Sequence, residues 1–353
     1  MSQPVHADSV PLAAASLIEW GSACLRAAGV SDSDAYSVAE SLVQTSLWGI
    51  DSHGIARLPH YLNRLQHGSI KARPEIVVTT TGAATAQVAG DQGLGIVVAH
   101  RAMDVAMAMA RESGMAAVGV ADSSHCGAVG LYSRNAARAG LIGMAFTHSD
   151  KIAAPQGGHL PFLGTNPISV AFPREGGEPV CLDMATTSIP WNRVMNARRE
   201  QHPLPADVAV DAHGAPTESA TDAAALRPLG GTDYGHKGYG LALVVELLCG
   251  PLHGNLFGPQ IGPMYAELTR PRRIGAFMIA LDPMRFAGGP AFAATVEQLA
   301  RMLAAEPGSP RMPGDPELAV QAQRSVVGIP IEPGLRAEIA QWSEKLGVQS
   351  PLV

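Results

Sequence analysis

Ser52, His53 and Arg57 lie within the stretch Asp51-Ser52-His53-Gly54-Ile55-Ala56-Arg57. A hydroxyl beside an imidazole can hand a proton to a reacting atom and take it back. Histidine suits that task because its unperturbed pKa of about 6.5 is close to working pH. An arginine four residues on offers a planar fork that grips a carboxylate at two points. Taken alone, the stretch reads better as a helix stop followed by a polar turn. Further glycine-flanked polar loops follow: Ser124-His125-Cys126-Gly127, Gly164-Thr165-Asn166-Pro167, Asp183-Met184-Ala185-Thr186, Gly235-His236-Lys237-Gly238 and Arg311-Met312-Pro313-Gly314. Each of these, singly, also reads as a turn. Asp183 can cap the next helix, Lys237 can be a solvated first-turn lysine, and His125 can be a satisfied loop histidine.

Such loops need rigid elements behind them. Ser31-Asp32-Ser33-Asp34 supplies helix caps, and Val38, Leu42, Val43 and Leu47 recur at helical spacing. A second helix carries Leu58, Tyr61, Leu62 and Leu65 on one face and stops at Gly68. Ile76 to Thr80 reads as a strand, and Ile96 to Arg111 as a helix stopped at Gly114. Then comes a strand-helix-strand unit: Ala116 to Ala121, Val129 to Ala139, Ile142 to Thr147. His125 and His148-Ser149-Asp150-Lys151 fall in loops after its strands, where α/β sheets place their ligands. Ile168 to Phe172 and Pro179 to Leu182 read as a strand pair, Lys237 to Gly250 as an apolar helix and Ala276 to Leu281 as a strand. Phe292 to Ala305 and Leu335 to Leu346 read as helices. The polar segment 200–232 is a long excursion or a mobile flap.

The composition excludes several classes. A chain of 353 residues that is 46% hydrophobic can bury a large core, and 38 glycines and 27 prolines imply many turns. A net charge of −6 argues against nucleic acid or an anionic membrane as the main partner. The opening residues MSQPVHADSVPLAAASLIEW lack a basic, apolar leader, and no apolar run is long enough to span a bilayer. Cys24, Cys126, Cys181 and Cys249 are far apart, so a reducing cytoplasm is the expected compartment and no disulfide framework or zinc site is expected. The GxGxxG fingerprint is missing after every predicted strand, and Gly90-Asp91-Gln92-Gly93-Leu94-Gly95 has the wrong order. P-loop, HExxH and GxSxG motifs and a carboxylate-rich metal cluster are missing too.

Together the loops form a set. DSHGIARLPHY, SSHCGAVGLYSRNAARAGLIG, FLGTNPI, LDMATT, GHKGYGLALVVELLCG and RMPG occur in one order from about Leu12 to about Ile331. In this the chain resembles the malate/L-lactate dehydrogenase-type oxidoreductases, which are distinct from the Rossmann-fold lactate and malate dehydrogenases. They include ureidoglycolate and sulfolactate dehydrogenases, diketogulonate reductase and cyclic ketimine reductases. The resemblance implies an α/β fold with its own, non-Rossmann NAD(P)-binding sheet, a helical domain drawn from both chain ends, and a homodimer. The expected division is 1–80 and 285–353 for the helical part and 81–284 for the cofactor domain.

The resemblance also implies roles. Asp183, Met184, Ala185 and Ser149 match cofactor contacts. His236 and Lys237 match a segment near the phosphates, and Gly314 with Asp315 a late contact near the adenine. Thr165 matches a residue near substrate, and Arg57 a substrate-binding arginine. His53 matches the proton donor of some members, with Ser52 as its relay partner. In the ureidoglycolate branch that role falls to the residue matching His125, which also borders the cofactor; His53 is placed first of the two. Asn192-Arg193 departs from the glycine-lysine of the 2-hydroxy-acid branches and from the aspartate of the ketimine reductases. Arginine stays protonated, so Arg193 cannot relay a proton, though it can hold a carboxylate or a developing oxyanion. Trp191 can narrow the pocket or simply pack. The expectation is a metal-independent enzyme using NAD or NADP on a small 2-hydroxy/2-oxo carboxylic acid. Reduction of a cyclic imine acid and a non-catalytic cofactor-binding homologue are the rivals.

Overall fold

The computed structural model describes residues 8–352; Met1–Ala7, part of the stretch read above for a leader, and Val353 lie outside the described residues. β1 (Val10–Leu12) leads into α1 (Ala14–Ala27), α2 (Asp32–Leu47) and α3 (Leu58–Gln66). The expected cap is present: Ser31 Oγ accepts the Asp34 amide at 3.2 Å and donates to the Asp34 carboxylate at 2.7 Å, a motif worth about 1 kcal/mol. Next come β2 (Val77–Gly82), β3 (Thr85–Ala89), α4 (Gly95–Ser113), β4 (Met115–Ser123), α5 (Gly130–Arg138), β5 (Ile142–Thr147), β6 (Ile168–Phe172) and β7 (Val180–Met184). Beyond them are α6 (Trp191–Glu200), β8 (Ala209–Val210), β9 (Ala225–Leu226), α7 (Gly231–Cys249), β10 (Ile274–Leu281), α8 (Gly289–Ala305), α9 (Asp315–Val327), β11 (Ile329–Ile331) and α10 (Pro333–Leu346).

The central sheet runs β2-β3-β4-β10-β5-β6-β7. Only β3–β4 is parallel; the other neighbours are antiparallel. The β4-α5-β5 unit is present, yet its strands do not pair. β10 is inserted between them, with Met278 opposite Val118 on one side and Ala145 on the other. A mostly antiparallel sheet has no strand-to-helix turn of the GxGxxG kind at its centre, which accounts for the missing fingerprint. α4 packs on this sheet through Met103 and through Ala99, Ala102, Ala106 and Ala110, whose small side chains let the helix lie close over Val88, Val118 and Val120.

A second core joins the two ends of the chain. Leu17, Trp20, Val38, Leu42, Leu58 and Leu62 pack with Ile329, Ile331, Ile339 and Trp342. β1 pairs with β11, Val10 opposite Ile331, and Trp20 Nε1 donates to Ser343 Oγ at 2.9 Å. Two segments counted with the helical part by sequence lie on the sheet instead: β2 is its edge strand, and α8 packs through Val296, Ala300 and Leu303 against Phe172 and Val180. The 200–232 excursion carries structure of its own. Its β8–β9 pair bridges to Ala153, and Leu204, Val208, Ala220 and Ala223 form a small core with α6.

Candidate active site

Asp51–His53 form one 3-10 turn after α2. Arg324 of α9 pins it, donating to Asp51 Oδ2 at 2.9 Å and to the Ser46 carbonyl at 2.6 Å. Gly54 is required sterically, since a Cβ there would stand 2.1 Å from Ser46 Oγ. With that approach kept, Ser46 Oγ accepts the Ile55 amide at 2.9 Å and α3 starts in the right direction.

Ser52 Oγ lies 2.9 Å from His53 Nδ1. The His53 ring stacks on that of His125 at 5.5 Å between centroids. His125 Nδ1 receives the Tyr61 hydroxyl at 2.7 Å and the Gly127 amide at 3.3 Å. Nδ1 is therefore the acceptor, and a neutral His125 carries its proton on Nε2. The Gly90–Gly95 turn, which fails as a nucleotide fingerprint, clamps this loop. Ser124 Oγ accepts the Gly95 amide at 2.8 Å and donates to the Gly93 carbonyl at 2.9 Å. A Cβ on Gly95 would stand 2.2 Å from the Ser124 carbonyl oxygen and 2.5 Å from that of His125. Gly95→Ala is expected to lose about 1–3 kcal/mol of stability by overpacking. By displacing His125 it should also lower kcat at least tenfold, in line with the cost of sub-ångström misplacement. Urea denaturation and steady-state kinetics read the two effects separately.

Arg57 is buried; its Nε donates to the Ser52 carbonyl and its Nη1 to the Tyr265 hydroxyl. Tyr265 belongs to a strap, residues 262–272, tied down by two more buried arginines. Arg64 donates to the carbonyls of Pro263 at 2.8 Å and Met264 at 2.9 Å; Arg272 donates to that of Gly262 at 3.0 Å and pairs with Asp150. Among the described residues no carboxylate pairs with Arg57 or Arg64. The site thus holds buried positive charge in excess, and its histidines respond. Burial, then Arg57, pushes His53 down to about 3. Burial and the Arg64, Arg272 and Arg57 charges take His60 down to about 3. Burial, then His53, Arg57, Arg272 and His60, hold His125 well below its ordinary value.

These shifts make a stability prediction. A histidine held neutral by the fold takes up its proton when the chain unfolds. Stability is therefore complete above about pH 6.5 and is lost as pH falls toward the folded values. His53, His60, His125 and His100 (down to about 4, by burial) all act in this sense. Asp183, pushed up to about 6 by burial, opposes them with a single proton. Unfolding free energy should fall between pH 7 and 5, and His60→Gln should reduce that slope by about one proton. A slope unchanged in the variant would contradict the assignment.

Asp183 and Met184 lie at the carboxyl end of β7, on the same side of the sheet as the His125 loop and toward the sheet's β7 edge. Asp183, on β7, accepts the Gly130 amide at 2.8 Å at the start of α5. The Cys181 amide donates to the Pro313 carbonyl at 2.9 Å, which sets Gly314 and Asp315 beside the same strand. Thr165 and Thr186 are tied together, the Thr165 carbonyl accepting the Thr186 amide at 2.9 Å and its Oγ1 at 2.8 Å. The Leu229 amide reaches the Thr186 carbonyl at 2.8 Å, so α7, with His236 and Lys237 exposed, starts beside Met184 and Ala185. Arg134, buried and stacked 4.7 Å over Trp48, has Nη1 without a partner among the described residues. The Asp183 carboxylate, the Lys237 ammonium and the orphaned Arg134 nitrogen are groups that suit a dinucleotide's ribose and phosphates.

The α6 residues fall out differently. Asn192 and Asn196, one turn apart, line a cavity of about 160 Å³ with Ser52, Asp51, Arg324 and Glu332. Arg193 is exposed on α6, and among the described residues no hydrogen bond or ion pair links it to Ser52, His53 or Arg57. Trp191 packs on the small core around Val194 and under Arg198, so the packing alternative describes its place. Tyr61, Arg64, Asp150, Tyr265, Arg272 and Arg134 were not singled out as site residues by sequence. A signal existed for Arg64 alone, a charged residue one helical turn after Tyr61 on a buried face.

The model of the family described as malate/L-lactate dehydrogenase matches residues 12–340. The chain belongs to that family. It is 36% identical over 309 residues to a ureidoglycolate dehydrogenase (NAD(+)) of Escherichia coli O157:H7, covering 86% of this chain and 87% of the relative. It is 34% identical to a (2R)-3-sulfolactate dehydrogenase (NADP(+)) of Chromohalobacter salexigens, covering 86% and 89%. The structure of malate dehydrogenase from Entamoeba histolytica superimposes with a TM-score of 0.92 at 27% identity, over 98% of this chain and all of that one. A δ1-piperideine-2-carboxylate reductase from Pseudomonas syringae pv. tomato superimposes with a TM-score of 0.84 at 31% identity, over 95% and 99%. As a member of the malate/L-lactate dehydrogenase family the chain is an NAD(P)-dependent oxidoreductase, and its mostly antiparallel sheet is the family's own. No helix among the described residues is long and apolar enough to cross a membrane.

Proposed function

We propose that this family member transfers a hydride between the nicotinamide of NAD(H) or NADP(H) and C2 of a small 2-hydroxy/2-oxo acid. One observation carries the reading: Arg57 is a buried cation whose partners, the Ser52 carbonyl and the Tyr265 hydroxyl, are neutral. A buried charge without a counterion is costly, and a substrate carboxylate removes that cost while fixing C2 against the two histidines. His53 is the proton-exchanging group, because it has a route to solvent. Ser52 bonds to its Nδ1 on one side and faces the polar cavity on the other. His125, whose Nδ1 is occupied, presents Nε2–H to the substrate oxygen and polarises it. When bound, the nicotinamide supplies or accepts the hydride; Asp183, Gly314, Lys237 and Arg134 are the residues that would hold the rest of the dinucleotide.

The imine-acid reading draws on the similarity to a piperideine-2-carboxylate reductase. Against it, the α6 face toward Ser52 carries Asn192 and Asn196, and neutral amides cannot serve as the acidic end of a relay. A panel of malate, lactate, ureidoglycolate, sulfolactate and their oxo forms, with piperideine-2-carboxylate alongside, followed at 340 nm with each cofactor, decides between them. Preference for the imine would overturn the 2-oxo-acid assignment, and cofactor binding without turnover would leave only a binding protein.

The functional unit is proposed to be a homodimer of the cytoplasm, where four buried free cysteines remain reduced. From Leu241 to Cys249 α7 is apolar except for the inward Glu246, and its outer face exposes Leu241, Val244 and Leu247 at helical spacing. A second copy is the natural cover for such a stripe. Val244→Asp is expected to halve the mass measured by light scattering, and an unchanged mass would refute this interface.

A further inference from the structure

We propose that Glu246 is a positioning residue for hydride transfer, its carboxylate holding the loops that carry Ser149 and Thr165 in register. The inference rests on the reaction proposed above. Glu246 lies on the inner face of α7, 3% exposed, with no access to a reacting atom. Oε1 accepts the Gly258 amide at 2.7 Å and His148 Nδ1 at 3.2 Å; Oε2 accepts Asn166 Nδ2 at 2.7 Å. Every group that reaches it is a donor. His148 Nε2 accepts the Gly275 amide at 2.8 Å, so the proton of a neutral ring sits on Nδ1 and points at Glu246. The Asn166 amide, on a buried residue in the left-handed region at φ 39°, is shared between Glu246 and the Ala242 carbonyl at 2.9 Å.

Each arm ends in the site. His148 precedes Ser149 and Asp150. Asp150 holds Arg272 and accepts the Met264 amide at 3.1 Å, fixing the strap whose Tyr265 meets Arg57. Asn166 follows Thr165, whose carbonyl anchors Thr186. One anion therefore braces both the strap that meets Arg57 and the loop that carries Thr165, while Asp183 and Gly314, which would hold the far part of the dinucleotide, rest on β7 and at the start of α9. A glutamine cannot replace it in place, because its amide would point a donor at a donor on one side or the other.

The test is Glu246→Gln in the full-length enzyme. We expect kcat to fall about tenfold to a hundredfold, the range set by ångström-scale misplacement. The primary isotope effect with 4-deuterated NAD(P)H should rise, while Kd for NAD(P)H by fluorescence stays within about threefold. Hydrogen exchange should quicken in 147–150, 164–167 and at Gly258 but not in α1 or α2, and Asn166→Ala should give a smaller loss of the same kind. Wild-type kcat and isotope effect in Glu246→Gln would overturn the proposal. So would a parallel loss of cofactor affinity with faster exchange throughout, which marks a merely structural group. Should the wild-type protein turn over none of the acids, the reaction reading fails alone. The exchange pattern still decides whether Glu246 braces these loops: local quickening supports it and unchanged exchange overturns it.

Discussion

Arg57→Lys is expected to lower kcat/KM for the acid roughly 10²–10³-fold, equivalent to about 3–4 kcal/mol of transition-state binding. An ammonium keeps the charge but loses the fork. It cannot hold the Ser52 carbonyl and the Tyr265 hydroxyl and still meet a carboxylate at two points. Most of the loss should fall on KM, because the carboxylate is gripped in ground and transition states alike. Tyr265→Phe makes the informative comparison. It leaves Arg57 its charge and its Ser52 contact, and it should cost far less. Equal KM values for Arg57→Lys and wild type would remove Arg57 from the substrate site.

His53→Asn is expected to lower kcat by about 10²–10⁴-fold, the usual contribution of a positioned acid–base group. His125→Asn should cost less, because an amide N–H can still polarise the substrate oxygen. The two variants differ most in pH dependence. In the ligand-free protein burial and Arg57 hold His53 down to about 3, so it is a neutral base across the physiological range. Oxidation of the hydroxy acid therefore needs no deprotonation of His53 and keeps its rate as pH falls through neutrality. Reduction needs the proton, which becomes easier to hold once a bound carboxylate offsets the Arg57 charge; its rate should decline as pH rises. His53→Asn should abolish that decline and His125→Asn should keep it. Near-normal turnover in His53→Asn with collapse in His125→Asn would exchange their roles.

Most of this site was legible as loops before it was legible as a site. Ser52, His53 and Arg57 are neighbours in the chain, so their shared chemistry could be read directly, and motif order tied them to Asp183, Lys237 and Gly314. The sheet was half legible: periodicity marks strands, but nothing local tells β4 and β5 that β10 will come between them. The balance of charge around Arg57 was hidden for the same reason. Arg64, Arg272 and Tyr265 are brought together by a strap far along the chain, and Glu246 looks in sequence like one polar residue in an apolar helix. Arg193 is the reverse case. Its position in a motif suggested chemistry, and α6 turns Asn192 and Asn196, not Arg193, toward Ser52.

The closure of the helical core by both ends of the chain sets a timetable for synthesis. Trp20 waits for Ser343, 323 residues downstream, and β1 for β11. At roughly 5–20 residues per second, α1 and α2 spend about 16–65 s outside the ribosome before the strands and helices that cover them emerge. The sheet, whose last strand is β10, can close earlier. The nucleotide half of the enzyme thus solidifies while Ser52 and His53 still hang on an open, apolar helix pair. In that interval nascent chains are exposed to chaperones and to one another.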